Sequence, residues 1–459
     1  MATNAADESA THSLGEFGDK RLADVGADLL RALEEKRTVV VRRLGKTRAE
    51  EIRFGRFLNN ENVTHEEMLA VEGARVGACA QGRDVLVIQD TTEINFADHT
   101  GSKRGFGTVG NGEDIGLFLH PQFVLDATSG GVLGMAGCTI MNRRQHVKTS
   151  SDKRPPNKRE SRRWLEGMEL AGRVLNDAAS ITVVADRESD IYETFAKCPE
   201  NVHLLTRAAQ NRSLANGGYL FEELRKKPVA TRYEINVPHK ANRKARQATV
   251  ALRYGTVELC RPSTSRKTCD KATINLTAVF IEEIDPPRGG DAVQWMLLTT
   301  REVRSLDAAQ HIVRLYRLRW TIEELNRAMK SQGMDMEESQ ITRATVMKKL
   351  CVMALIAASR AIQLVRARDG GTHQKLTDGF DKEDQPILEM ANKKMEGKTE
   401  KQQNPHRKGS LAWAAWIIGR LGGWHCYYQP PGTKVMHIGL QRFDAMKDGW
   451  LLANGQKDV

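Results

Sequence analysis

At 459 residues, 40% hydrophobic and 28% charged, the chain is long enough for roughly two to four domains and too apolar to be wholly disordered. No apolar run reaches the roughly 18 residues that cross a bilayer. The stretch around Val352 to Ala358 is cut short by Arg360, and the polar N-terminus carries no secretion signal, so a cytoplasmic protein is expected. The net charge of +11 points to a polyanion partner, and seven scattered cysteines without a C-x-x-C pair argue against a zinc or disulfide framework, leaving oxygen ligands for any metal.

In chain order, Asp19 to Glu35 predicts an amphipathic helix with Leu22, Val25, Leu29, Ala32 and Leu33 on one face. A second helix is expected over Ala49 to Leu58. Thr64 reads as the N-cap of a third, with Glu67 as its capping-box partner. The period then changes. DVLVIQD (84–90) is a buried central strand, and LFLHPQFVLDATSGGVLGMAGCTIM is a hairpin about the turn D-A-T-S-G-G. ESRRWLEGMELAGRVLNDA is helical, and ITVVAD (181–186) is a second buried strand. VHLLTR, RYEINV, ATVALRYGTVEL, TINLTAVFIEEI and QWMLLTT make residues 200–300 mostly β. Helices follow at Leu306 to Lys330 and Ala344 to Arg368, and residues 369–409 read as a linker or loop. SLAWAAWIIGRLGGW (410–424) is a strongly apolar helix stopped by Gly-Gly. Three basic stretches, Lys36 to Arg56, Arg143 to Arg163 and one beginning at His239, are candidates for DNA contact, although solvated loops are also basic.

Asp90 and Asp186 end the two buried strands. Carboxylates at the ends of neighbouring strands can share a hard cation; equally, an Asp after a strand is often a turn former or helix N-cap. YRLRWTIEELNRAMK places Tyr316, Arg319, Glu323 and Lys330 at offsets that, at about 100° per residue, span an arc of roughly 60° on one helix. That face combines a phenol, a guanidinium, a carboxylate and an ammonium. A solvated ion-pair stripe has a similar pattern, but Trp320 and Ile322 in the same turn favour a packed active-site wall. Glu324 falls outside the arc, and Glu188 and Asp190 are decoys of structural or supporting use.

These residues resemble the DDE transposases of the insertion-sequence-four group, Tn-five-like branch. The resemblance rests on Q-D-T-T (89–92), A-D-R-E-S-D-I-Y (185–192), W-M-L-L-T-T (295–300) and the spaced Tyr, Arg, Glu and Lys at 316, 319, 323 and 330. It implies an α/β, ribonuclease-H-like catalytic core over 65–368 with a mostly β insertion at about 200–300. The 137 residues from Asp186 to Glu323 leave room for that insertion. The resemblance also implies a helical end-binding unit over 1–64 and a helical dimerisation region within 369–459. Asp90, Asp186 and Glu323 would hold two Mg²⁺ ions (or Mn²⁺), with Arg187, Arg207, Tyr316, Arg319 and Lys330 on DNA phosphates and Trp295 and Trp320 stacking a flipped base, although by sequence alone Trp295 reads equally as a core residue of the strand QWMLLTT. The implied reaction is cut-and-paste: nick, hairpin, resolution and joining of 3′ ends to target DNA. The partners would be transposon-end and target DNA in a synaptic homodimer on the bacterial nucleoid, with no membrane and no small-molecule cofactor. A non-cutting DNA-binding regulator, or a nuclease of the same core fold, are the competing readings.

Overall fold

A computed structural model describes residues 13–96, 103–110, 112–143, 160–237, 245–287, 292–330 and 334–454. The chain opens with helices α1 (Lys20–Lys36), α2 (Val41–Leu44), α3 (Arg48–Asn59) and α4 (His65–Ala80). Asp19, Thr47 and Thr64 each accept a backbone N–H of the following first turn, the usual way to satisfy an orphan helix donor. Only half of the expected capping box forms. Glu67 turns away from Thr64, and its Oε1 accepts the N–H groups of Glu16 and Phe17 at 2.9 and 2.8 Å. It thereby ties down the segment before α1.

The strands that follow are β1 (Asp84–Gln89), β2 (Thr92–Asn95), β3 (Gly107–Val109), β4 (Asp114–Asp126) and β5 (Val132–Met141). After α5 (Arg162–Val174) come β6 (Ser180–Ala185), α6 (Tyr192–Ala196) and β7 (Val202–Arg207). β1, β6 and β7 run parallel, whereas β4 pairs antiparallel with β1 and with β5. The resulting order β5-β4-β1-β6-β7 is that expected of a ribonuclease-H-like core. β7, which the sequence reading grouped with the β-rich segment from about 200, pairs parallel with β6 and so joins the parallel part of the sheet. α7 (Leu220–Lys226), β8 (Thr231–Val237), β9 (Arg246–Cys260), β10 (Thr273–Glu283) and β11 (Gln294–Thr299) extend the same sheet, with β11 antiparallel to β7.

Alternation along β1 divides the core. Leu86 and Ile88 join the cluster that holds the N-terminal helices, while Val85 and Val87 face the one containing Met168 and Ala171 of α5. Leu29, Leu33, Phe54, Phe57 and Leu58 of α1 and α3 lie in that first cluster, so residues 13–64 pack as part of the core body.

The last part is helical: α8 (Leu306–Leu318), α9 (Thr321–Met329), α10 (Ala344–Ala367), α11 (Gln385–Met395), α12 (Leu411–Leu421) and α13 (Thr433–Ala453). By length and composition α10 is apolar enough to cross a membrane, contrary to the sequence expectation. Most of its apolar window is buried inside the protein, and Arg360 within it pairs with the buried Glu34 at 2.7 Å. Residues 369–409 do not form a linker. They carry α11 and buried Leu376, Phe380, Ile387 and Leu388, which close a cluster with α12 and α13. Arg83 beside β1 binds Asp378 at 2.8 Å and fastens this region to the core. Widely spaced apolar residues among Gly, Lys and Gln hid that packing from a composition argument.

Candidate active site

The site is built where β1 stops. Gln89 is the last β1 residue paired with β4, opposite Gln122, and Thr92 opens β2 opposite Leu119 of the same strand. Between them Asp90 and Thr91 leave the ladder, next to Pro121, which has no N–H to offer. The parallel register of β1 and β6 pairs Ile88 with Val184. Two residues further on it sets Asp90 beside Asp186, on strands spaced about 4.8 Å apart.

Asp90 Oδ1 accepts the Thr91 N–H at 2.8 Å, and Asp186 Oδ1 accepts the Glu188 N–H at 2.9 Å while capping the 3-10 turn Arg187–Ser189. Thr206 Oγ1 on β7 donates to the Asp186 carbonyl at 2.6 Å and holds that turn from behind. Glu323 comes from the first turn of α9. Burial raises the Asp90 carboxyl to about 6. The Thr91 N–H and Arg319 oppose that rise, and the Asp186 and Glu323 carboxylates add to it. The three carboxylates are therefore electrostatically joined across one hollow.

Arg319 lies in that hollow, 3.8 Å from Asp90 Oδ2 and 3.7 Å from Glu323 Oε1. The expected single helix from Leu306 to Lys330 is broken here. Arg319, Trp320, Ile322 and Glu323 each donate to the carbonyl three residues back, a tighter 3-10 pitch that separates α8 from α9. Lys330 falls beyond the last turn of α9 with non-helical backbone and lies 3.8 Å from Glu337, so the 60° arc does not survive as one helical face. Tyr316 is buried, its hydroxyl pKa raised by burial and offset by Arg319 and Arg207. Its ring meets Trp295 of β11 edge-on at 5.5 Å.

Arg207 at the end of β7 donates to the Gln294 carbonyl at 3.0 Å. Arg187 is exposed in its turn, and Trp320 is 49% exposed beside the break. Thus Asp90, Asp186, Glu323, Arg319, Tyr316 and Arg207 gather at one place, with Lys330 and Arg187 at its margin. Asp190 is elsewhere: its carboxylate takes two bonds from buried Arg212 and two from the Ala209 and Gln210 N–H groups, a structural role. Arg143, Arg162 and Arg163 of the long basic stretch line a hollow of about 750 Å³ together with Thr91, Glu188 and Lys330. Residues 144–159 and 238–244 of the basic stretches lie outside the described residues. Arg163 was not singled out by sequence; no local signal distinguishes it from its basic neighbours.

The carboxylate set suits a hard divalent cation. As positioned, it does not close on one: among the described residues no three His, Cys, Asp or Glu groups gather tightly enough to hold a metal ion. A guanidinium stands between two of them instead. A sequence model of the family described as Transposase DDE domain matches residues 85–359, more than half of the chain and all of the site just built.

Proposed function

The chain belongs to the transposase DDE-domain family, DNA-cleaving and strand-transferring enzymes that use divalent metal ions, and from that premise we propose that Asp90, Asp186 and Glu323 are its catalytic carboxylates. The observation that carries this reading is the register that sets Asp90 beside Asp186 at the ends of parallel β1 and β6, with Glu323 across the hollow. We propose the insertion-sequence-four, Tn-five-like branch, working by cut-and-paste with hairpin resolution and two Mg²⁺ ions, replaceable by Mn²⁺. Such a pair would activate a water or a 3′-hydroxyl and stabilise the leaving oxygen at phosphorus.

The chain's own residues do the rest. For the carboxylates to take cations, Arg319 withdraws from between Asp90 and Glu323, and a DNA phosphate is the natural place for the freed guanidinium. Arg187, Arg207 and Lys330 add positive charge around the same hollow, and Tyr316 offers a hydroxyl. Trp320, half exposed beside the break, is one candidate for stacking a flipped base, and Trp295, partly buried against Tyr316, is the other. Helices α1 to α3 within residues 1–64 are proposed to bind transposon ends, and the 369–459 region to dimerise in a synaptic complex on target DNA in the bacterial cytoplasm.

The test is cleavage of labelled DNA ends, taken from the inverted repeats that flank the gene, with Mg²⁺. Nicked, hairpin and released products in succession support the reading. Specific binding without any cut would leave a non-cutting regulator.

A further inference from the structure

One guanidinium reaches both aspartates through a single residue on each side. Arg163, at the start of α5, donates from Nε to Thr91 Oγ1 at 2.9 Å and from Nη2 to Glu188 Oε2 at 3.2 Å. Its Nη1 donates to the Glu160 carbonyl at 2.9 Å, which fixes the fork to its own helix start. Thr91 is the residue whose N–H binds the Asp90 carboxylate, and Glu188 is the residue whose N–H binds the Asp186 carboxylate. The loops after β1 and β6 are thus spanned by one rigid plane, as no single-point ammonium could do.

The far side of the Thr91 hydroxyl is held as well. His120 Nδ1 lies 2.9 Å from it, and the other ring nitrogen meets the Gln89 amide at 3.3 Å. His120 and Gln89 are buried, and Gly167 on α5 makes room for that amide: a Cβ there would come within 2.5 Å of it. Neighbouring Arg162, by contrast, is half exposed and pairs with Glu166. Arg163 is only 14% exposed, with its nitrogens engaged.

We propose that Arg163 is a positioning residue that sets the separation of Asp90 and Asp186, acting through Thr91 and Glu188, and so governs divalent-cation affinity; this rests on the catalytic reading of those two aspartates. Groups that orient metal ligands from behind change affinity or activity about 10–100-fold when altered.

The experiment is a Mn²⁺ titration of the full-length chain without DNA, reading the free-ion electron paramagnetic resonance signal, with melting curves and end-DNA binding in parallel. Arg163→Lys keeps the charge and loses the fork, so a drop in Mn²⁺ affinity of about tenfold or more cannot come from charge. Thr91→Val, which loses only the hydroxyl, is expected to give a similar drop, Thr91→Ser to restore it, and the Arg163→Lys, Thr91→Val pair to fall short of the sum. Thr91→Val also carries the test if the arginine variant fails to fold. Mn²⁺ affinity within about twofold of the parent in both variants, or loss of end-DNA affinity alone, would overturn the proposal and make Arg163 a phosphate contact. Absence of Mn²⁺ binding in the parent protein would instead sink the catalytic reading itself.

Discussion

Two aspartate–arginine pairs in this chain have the same chemistry and opposite uses. Asp190 and Arg212 are almost wholly buried, meet at 2.7 and 2.9 Å through two nitrogens, and every remaining carboxylate contact is a backbone N–H. Asp90 and Arg319 stand 3.8 Å apart, and Arg319 is shared with Glu323. Burial of Asp90 outweighs what its partners return, so its carboxyl sits near 6. The first pair is closed on itself and supports the loop after Asp186. The second is open, with a carboxylate whose needs the protein alone does not meet. Sites that must take a cation and a phosphate are built from the second kind.

The largest expected effect lies on the open side. Asp90→Ala, Asp186→Ala and Glu323→Ala should each lower strand cleavage by roughly a thousandfold or more, about 4 kcal/mol of barrier, while end binding in a gel shift stays nearly intact. Mg²⁺-dependent nicking by any one of them would remove that residue from the catalytic set. The closed pair should behave in reverse. Asp190→Ala strands a buried guanidinium and is expected to cost about 3–5 kcal/mol of stability, seen as a lowered melting temperature with cleavage and binding falling together.

Titration sharpens the same contrast. The Asp90 carboxyl is raised from 3.8 to about 6 in the folded protein, so the native state binds the extra proton between those values. Its effect is a destabilisation that is absent below about pH 4, grows as pH rises, and is complete above about pH 6. In metal-free buffer Asp90→Asn should therefore be more stable than the parent at pH 7 to 8 by up to about 3 kcal/mol, with the difference gone near pH 4. Thermal unfolding across that range measures it. A parent protein whose stability rises with pH in step with the variant would contradict the burial of this carboxyl.

Much of this was readable beforehand, and the reasons are local. Continuous apolar runs marked β1 and β6, and each is followed directly by its aspartate. Thr64 announced its helix through chemistry within one turn. What escaped depends on contacts far apart in the chain. Glu67 looked like a capping partner, yet Glu16 and Phe17 compete for it from 50 residues away. Arg163 is one cation in a basic stretch until Thr91 and Glu188 arrive from two different strands. The break at Arg319 and Trp320 leaves no Pro or Gly to read, since helical angles persist while the hydrogen bonds shift by one residue.

The smallest expected effect separates the two tryptophans. Trp295 packs edge-on against buried Tyr316 and touches the main core, whereas Trp320 is half open beside Arg319. Truncating a partly buried indole removes packing, so Trp295→Ala should lower the melting temperature and slow nicking and hairpin formation together. Trp320→Ala removes less buried area and should lower the melting temperature less than Trp295→Ala does. Base–aromatic stacking is worth about 1–3 kcal/mol, so if the half-exposed Trp320 ring receives a flipped base, the hairpin step alone should slow by roughly tenfold to a hundredfold. Time courses of nicked, hairpin and excised products on one labelled end read both variants at once. A hairpin-specific defect in Trp295→Ala with unchanged melting would reverse the assignment, because it would mean that the edge-on contact with Tyr316 opens when DNA binds and that the partly buried ring, not the exposed one, meets the base.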